Sequence, residues 1–324
     1  MRAPDFWQRE QSAWGNILAP LGGLYAAGGR MKRALSKPAK VSVPVICVGN
    51  LVSGGTGHTP VVQSLARQLL AMGRHPSILL RGYGGSETGP LLVDPVRHTA
   101  KSVGDEALLH ASIAPTWISS DRAMGARAAI AQGADVILMD DGFQNSGLFQ
   151  DLPILVVDGE TGFGNGRVIP AGPLREPVAD GVKRAKAVVL IGPDKCEVLP
   201  RLKPLPVFKA RIVADATNVS FHDSDVVAFA GIGRPQKFFA TLQEQGAKIA
   251  MAFPFPDHHA YTECEIEALL EQAKDLQARL VTTAKDHVRL PKDVQERVEV
   301  LKISLRWDDE TAPQRLFAAI GLNA

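Results

Sequence analysis

Four short segments carry residue types whose spacing points to phosphate and metal chemistry. The first is VICVGNLVSGGTGHT, residues 45–59, in which an apolar run enters a Gly-rich loop and Thr59-Pro60 opens a helical pattern. Such a loop aims successive backbone N–H groups and a helix N-terminus at phosphate oxygens. Across Ser53, Gly54, Gly55, Thr56 and Gly57 the glycines let the backbone close on an anion, and the Thr59 hydroxyl stands where a magnesium ligand belongs. The pattern departs from the usual phosphate loop twice, with Val52 in place of the first glycine and His58 in place of the phosphate-binding lysine. Gly-rich strand-to-helix turns also form for close packing alone.

The second segment, VILMDD at 136–141, is an apolar run ending in Asp140 and Asp141. Aspartates at a strand end can hold magnesium across a nucleotide site, directly or through water; a turn or helix cap is the plainer reading. The third, Gly104-Asp105-Glu106, precedes a helical run whose positive end would favour the two acids in any case. The fourth, Asp257-His258-His259, could join a carboxylate and an imidazole into a base for a hydroxyl. Arg175-Glu176, inside an irregular stretch, offers a guanidinium to phosphate or forms a surface ion pair.

These residues need elements to position them. A length of 324 residues allows about two domains at ~150 residues each. With 45% apolar and 22% charged residues, the composition excludes wholesale disorder. Short apolar runs at 45–48, 77–80, 116–119, 136–139, 154–157 and 188–191 alternate with helical patterns at 60–72 and 121–132. That order predicts an α/β fold with a largely parallel sheet. The Gly- and Pro-rich stretch 159–180 has no period, as functional loops often do not. Prolines and charges near 195–215 suggest a junction, followed by predicted strands at 226–230, 248–253, 280–283 and 298–303. Helices are expected near 235–245 and from Glu263, where Thr262 and Glu265 have the form of a capping box.

The net charge of +2 implies no nucleic-acid partner, but its distribution is uneven. Residues 1–40 hold Arg2, Arg9, Arg30, Lys32, Arg33, Lys37 and Lys40 against Asp5 and Glu10. The basic cluster follows an apolar stretch, 14–27, that is too short for a span of ~20 residues and lacks a signal-peptide cleavage pattern. An amphipathic helix lying on an anionic leaflet fits, as does a helix packed on its own domain. Cys47, Cys196 and Cys264 are scattered, which suits a reducing compartment.

The chain resembles the tetraacyldisaccharide 4'-kinase family of lipid A biosynthesis. The segments that carry the likeness are VGNLVSGGTGHTP (48–60), RGYGG (81–85), VGDEALL (103–109), DDGFQN (140–145), GNGRVIPAGPLREP (164–177), AGIGRPQKFF (230–239), FPDHHAYT (255–262) and VTTAKD (281–286). They fall in the family's order over most of the chain. The resemblance implies a P-loop NTPase-like three-layer α/β/α lobe (37–205), a second smaller α/β lobe (206–324) and an N-terminal membrane-seating amphipathic helix (1–36). It implies ATP and Mg²⁺, with Ser53, Gly54, Gly55, Thr56, Gly57, His58 and Thr59 binding the nucleotide. Asp105 would be the base, tuned by His258; Thr59, Glu106, Asp140 and Asp141 would serve the metal, and Arg175 the transferring phosphoryl group. The implied acceptor is a lipid A disaccharide precursor at the cytoplasmic face of the inner membrane, met by a peripheral, monomeric enzyme.

His58 is the main departure, since the family usually has lysine there. An imidazole titrates near pH ~6.5 unperturbed, so weak, pH-dependent service to ATP is expected of it. A membrane-associated ATPase switch is the competing class, and both of its lysine positions, 53 and 58, hold other residues. A non-catalytic lipid-binding relative is the other alternative, motivated by His58 alone.

Overall fold

A computed structural model describes residues 4–9, 11–215 and 220–322. Arg2 and Glu10 of the N-terminal charge cluster lie outside the described residues. The strands in chain order are β1 (Val45–Gly49), β2 (Pro76–Leu80), β3 (Leu91–Leu92), β4 (Thr116–Ile118), β5 (Val136–Asp140), β6 (Leu152–Asp158), β7 (Ala187–Ile191) and β8 (Val207–Ala214). They continue as β9 (Asp225–Ala230), β10 (Lys248–Pro254), β11 (Arg279–Thr283), β12 (Glu299–Leu301) and β13 (Ile303–Trp307).

Nine strands form one sheet in the order β13-β8-β7-β6-β1-β5-β2-β4-β3, parallel except at its edges, where β13 and β3 run antiparallel to their neighbours. Both faces are covered. Along β1, Ile46 and Val48 pack under the helix His58–Ala71, while Val45 and Cys47 join the opposite core with Ala126 and Leu190. Two buried faces explain why these strands read as unbroken apolar runs rather than alternating ones. The other four strands form a parallel sheet, β10-β9-β11-β12, with the helix Pro235–Glu244 on one face and Glu263–Asp275 on the other.

The lobes are not consecutive halves. β8 and β13, which an expected boundary at 205/206 gives to the second lobe, both hydrogen-bond into the nine-stranded sheet. The helix Ala312–Ala318 also buries Leu316 and Phe317 in that lobe's core. The single strand expected at 298–303 is two, β12 in the small sheet and β13 in the large one, on either side of Lys302. Local pattern could not reveal this, because β13 finds its partner some ninety residues upstream.

The helix Ala13–Leu35 packs on the large lobe with its small residues. Gly15, Gly22 and Ala26 are buried, while Trp14, Ile17, Leu21, Leu24 and Tyr25 on the other side are between 51% and 70% exposed. It lies on the 164–174 segment, where Arg167 donates to the Gly15 carbonyl at 2.9 Å and Trp7 to the Pro170 carbonyl at 3.1 Å. Arg30 and Arg33 turn inward to Asp180 and Glu176.

A Cβ at Gly22 would stand 2.7 Å from the Val168 carbonyl oxygen. Gly22→Ala is therefore expected to weaken this seat by about 1–3 kcal/mol of overpacking. Limited proteolysis should cut faster within 13–35, with the global denaturation midpoint little changed; an unchanged cleavage rate would show that the contact does not hold the helix.

Candidate active site

Strand register decides what stands beside the Gly-rich loop. β1 lies between β5 and β6, with Val48 opposite Asp140, so the loop after β1 and the acidic end of β5 share the carboxyl edge of the sheet. Open α/β sheets bind ligands at such an edge. The helix His58–Ala71 starts there behind Gly57, a left-handed N-cap with φ +85 and no capping side chain. The N–H groups of Gly54, Gly55, Thr56 and Gly57 donate to no acceptor among the described residues. A Cβ at Gly54 or Gly55 would meet nothing within 4 Å, so packing does not require glycine at either position. Asn50 braces the loop from within: its Nδ2 donates to Thr56 Oγ1 at 2.9 Å and to the Gly54 carbonyl at 3.2 Å, and its buried Oδ1 has no partner.

His58 begins the helix, and its imidazole turns beneath the loop. Its Nδ1 lies 2.9 Å from Asp140 Oδ1, while the other Asp140 oxygen takes His110 Nε2 at 2.7 Å. Burial opposes charge on His58, but the Asp140 carboxylate outweighs it, helped by Glu106 and Asp141, and the group is pushed up to about 9. Asp140, 1% exposed, is likewise held well below the usual carboxylate range: burial works against ionisation and the two imidazoles overcome it. The sequence expectation of a ring titrating near neutrality therefore fails for His58. Its countercharge is built in.

The neighbouring Asp141, at φ +46, accepts from Arg175 Nη1 at 2.7 and 3.0 Å. Arg175 is placed by its backbone, which pairs with the loop: Arg175 N donates to the Leu51 carbonyl and Ser53 N to the Pro173 carbonyl, both at 2.7 Å. Glu176, buried at 1% exposure, accepts from Arg184 at 2.6 and 2.9 Å and from Gln144 at 3.1 Å. The plain reading of Arg175-Glu176 as one surface ion pair does not hold, because each residue has a different partner.

The second lobe closes the site through Asp286. This buried carboxylate accepts from Gly231 N at 2.9 Å, Tyr261 Oη at 2.8 Å, Thr283 Oγ1 at 2.6 Å and Arg289 Nη1 at 2.9 Å. It thereby gathers the AGIG loop, the FPDHHAYT segment and the turn after β11. From that turn Lys285 Nζ reaches Glu106 Oε1 at 2.6 Å, and Arg289 pairs with Asp105 through its Nε at 3.1 Å and its Nη2. His258, in a left-handed conformation at φ +57, brings Nδ1 to 3.2 Å from Asp105 Oδ2. Tyr83 of the RGYGG segment meets its ring edge-on at 5.9 Å between centroids. A further pair, Arg234 with buried Asp158, joins the lobes at the end of β6.

Burial by itself would raise the Asp105 carboxyl. The His258 hydrogen bond and the Arg289 and Lys285 charges reverse that and hold it far below its ordinary value. The Asp105 contact in turn raises His258. Glu106 is lowered against burial, chiefly by the charges of Lys285 and His58, and Lys285 is raised against burial by Glu106 and Asp105.

Every residue expected at the site thus lies along one edge: the 53–59 loop, Asp105, Glu106, Asp140, Asp141, Arg175 and, from the other lobe, His258. His110 and Arg289 were not legible: no motif marks them, and each acts through a contact across strands or lobes. Asn50 lies inside the VGNLVSGGTGHTP segment, but nothing in the sequence marks its side chain as the brace of the loop. Lys285 and Asp286 belong to the VTTAKD segment, whose letters do not say what they face.

Among the described residues no three acidic, histidine or cysteine side chains form a ready metal cage. Magnesium keeps waters and takes one or two carboxylates together with phosphate. Thr59 Oγ1 and Glu106 Oε1, 3.2 Å apart, supply hard oxygen donors beside the open N–H groups. Both Asp140 oxygens already bind imidazoles and those of Asp141 bind Arg175, which suits them to a supporting place.

The family model described as tetraacyldisaccharide-1-P 4'-kinase matches residues 14–321. The tetraacyldisaccharide 4'-kinase of Paramagnetospirillum magneticum is 51% identical over 326 residues, covering 100% of both chains. That of Gluconacetobacter diazotrophicus is 50% identical, covering 98% of this chain and 97% of its own. A crystal structure of the "apo" form of LpxK from Aquifex aeolicus, in complex with ATP, superposes with a TM-score of 0.76 at 29% identity, over 94% of this chain and 99% of that one.

The raised His58 has a thermodynamic consequence. Its folded value of about 9 exceeds the unfolded ~6.5, so its stabilising share is complete below about pH 6.5 and is lost as pH climbs through 9. Relative to His58→Gln, the parent should lose denaturation midpoint between pH 7 and 9.5. An imidazole NMR titration on nucleotide-free protein should find the ring protonated at pH 7.5; a midpoint near 6.5 would refute the assignment.

Proposed function

This chain belongs to the tetraacyldisaccharide-1-P 4'-kinase family, and we propose on that premise that it transfers the γ-phosphoryl group of ATP to the 4'-hydroxyl of a tetraacyldisaccharide 1-phosphate, with Asp105 as the base. The observation that carries the reading is the meeting of Asp105 and His258, from different lobes, beside the open loop and the Thr59–Glu106 pair.

Phosphoryl transfer asks the protein for position and charge more than for covalent chemistry. Loop N–H groups and the helix end receive phosphate oxygens, and Thr59 and Glu106 would hold magnesium, which supplies charge neutralisation at the β- and γ-phosphates. Asp105 takes the proton of the sugar hydroxyl as its oxygen bonds to the γ-phosphorus, and the bond from that phosphorus to the bridging oxygen breaks, with ADP leaving. The cations that depress Asp105 keep it ionised throughout the neutral range but make it a weak base, so it takes the proton only as the forming oxygen–phosphorus bond acidifies the hydroxyl. His258 orients the carboxylate and shares its charge. Arg175, across the loop, is in reach to exchange Asp141 for the moving phosphoryl group. The reading as a membrane ATPase switch has no observation in its favour. The non-catalytic reading rested on His58, and the His58–Asp140 contact gives that substitution a partner.

The acceptor is a lipid, and the outward face of the helix Ala13–Leu35 suits a lipid surface. Trp14, Ile17, Leu21, Leu24 and Tyr25 form an apolar stripe opposite the glycine face, and no described helix is long and apolar enough to cross a membrane. We read the stripe as the seat of a peripheral enzyme on an anionic leaflet; the cytoplasmic face of the inner membrane and a monomeric state are what the resemblance to the family implies.

Purified protein given ATP and a lipid A precursor lacking the 4'-phosphate should yield the phosphomonoester. Asp105→Ala should lower kcat by roughly 10²–10⁴-fold with ATP binding largely kept, and His258→Ala somewhat less. An Asp105→Ala enzyme that turns over like the parent would remove Asp105 from the chemistry. For the seat, Ile17→Ser with Leu24→Ser should leave the melting temperature unchanged and cut binding to vesicles rich in anionic lipid by roughly a hundredfold or more, from ~1.5–3 kcal/mol for each of the two side chains. Undiminished vesicle binding would assign the stripe another role.

A further inference from the structure

The loop of this kinase has no lysine of its own. His58 stands at the lysine position, but its Nδ1 is committed to Asp140 and the residue is only 7% exposed. A phosphate loop ordinarily places an ammonium group on a flexible stem against the β- and γ-phosphates, beside the Ser or Thr that ligates magnesium. An imidazole with one nitrogen tied beneath the loop cannot make that reach.

Three other cations face the site, and their bonding separates them. Arg175 pairs with Asp141 and lies against the 51–53 backbone. Arg289 is 7% exposed at its side chain and spends its N–H groups on Asp105, Asp286 and the Gly231 carbonyl, so it is part of the frame between the lobes. Lys285 differs. Its hydrogen-bond partner is Glu106 Oε1 at 2.6 Å, the same oxygen that accepts from Thr59 Oγ1 at 3.2 Å, and its side chain is 31% exposed. Its backbone is fixed nonetheless, because Thr283 caps the turn and Asp286 anchors it. A pinned backbone, a four-carbon stem, a single replaceable partner and a place beside Thr59 are the properties of a phosphate-loop lysine.

We propose that Lys285, carried by the second lobe, supplies the phosphate-binding ammonium that the loop lacks, exchanging Glu106 for the phosphate oxygens of ATP. The assignment rests on the kinase reading above. It gives the exchange a second use, since Glu106 is freed beside Thr59, where magnesium needs an oxygen. It also makes triphosphate binding depend on the second lobe being in place.

The test is equilibrium binding of ATP, ADP and AMP, with magnesium, to the parent, Lys285→Met, Lys285→Arg, His58→Lys and the double variant His58→Lys/Lys285→Met, alongside phosphorylation of the lipid acceptor. Lys285→Met should weaken ATP roughly 10- to 100-fold, ADP less and AMP hardly at all. Lys285→Arg should keep most of the affinity. His58→Lys should restore most of what Lys285→Met loses, a rescue that a merely structural role would not allow. Parent-like ATP binding by Lys285→Met, an equal loss for all three nucleotides, or a double variant as weak as Lys285→Met would each overturn the assignment. If the parent phosphorylates the lipid and the variant does so equally well, only the Lys285 role falls; if the parent binds no nucleotide, the kinase reading falls with it.

Discussion

Four carboxylates, those of Asp105, Glu106, Asp140 and Asp141, crowd one edge of a parallel sheet, and the rest of the molecule is arranged to bring each of them a partner there. Two unit charges 4 Å apart interact by about 4 kcal/mol at an effective dielectric of 20, and a buried charge without a partner costs more still. Asp105 and Asp140 are 4% and 1% exposed. Neither could remain an anion in that setting without cations brought from elsewhere. His58 serves Asp140, to which His110 adds a hydrogen bond, Arg175 serves Asp141, Lys285 serves Glu106, and Arg289 with His258 serve Asp105.

That requirement explains the second lobe. It is inserted between β8 and β13, both strands of the large sheet, so both ends of the insertion are tied to the lobe it must face. Asp286 then collects its loops onto one turn, and that turn presents Lys285 and Arg289 four residues apart to two consecutive acids of the other lobe. The same matching suits catalysis. A site in which part-exposed cations, Arg175, Lys285 and His258, already pair with the anions can trade those pairs for phosphate and magnesium without first exposing a bare charge. The N-terminal helix follows a parallel logic at the surface, using glycines to lie close to the protein and leaving its large apolar residues outward.

The sequence by itself determined much of this. Unbroken apolar runs separated by helical periods specified a parallel α/β sheet, and six of its strands fall where those runs stand, because a strand buried on both faces has no polar alternation to obscure it. The Thr262–Glu265 capping box is local chemistry and forms as its spacing dictates. The Gly-rich loop, Asp105, Asp140, Asp141, Arg175 and His258 were recognisable from residue type and motif. Only the tertiary structure decided what those residues are bonded to. A return strand ninety residues away redrew the lobes, since β pairing at long range leaves no local signature. His58 passed from a neutral-range imidazole to a built-in cation because strand register put Asp140 beneath it, and no reading of the loop contains that carboxylate. Arg289 and His110 carry no motif, and Lys285 belongs to a motif whose letters do not say which lobe it faces. Their roles come from charge matching, which depends on distance in space and not along the chain.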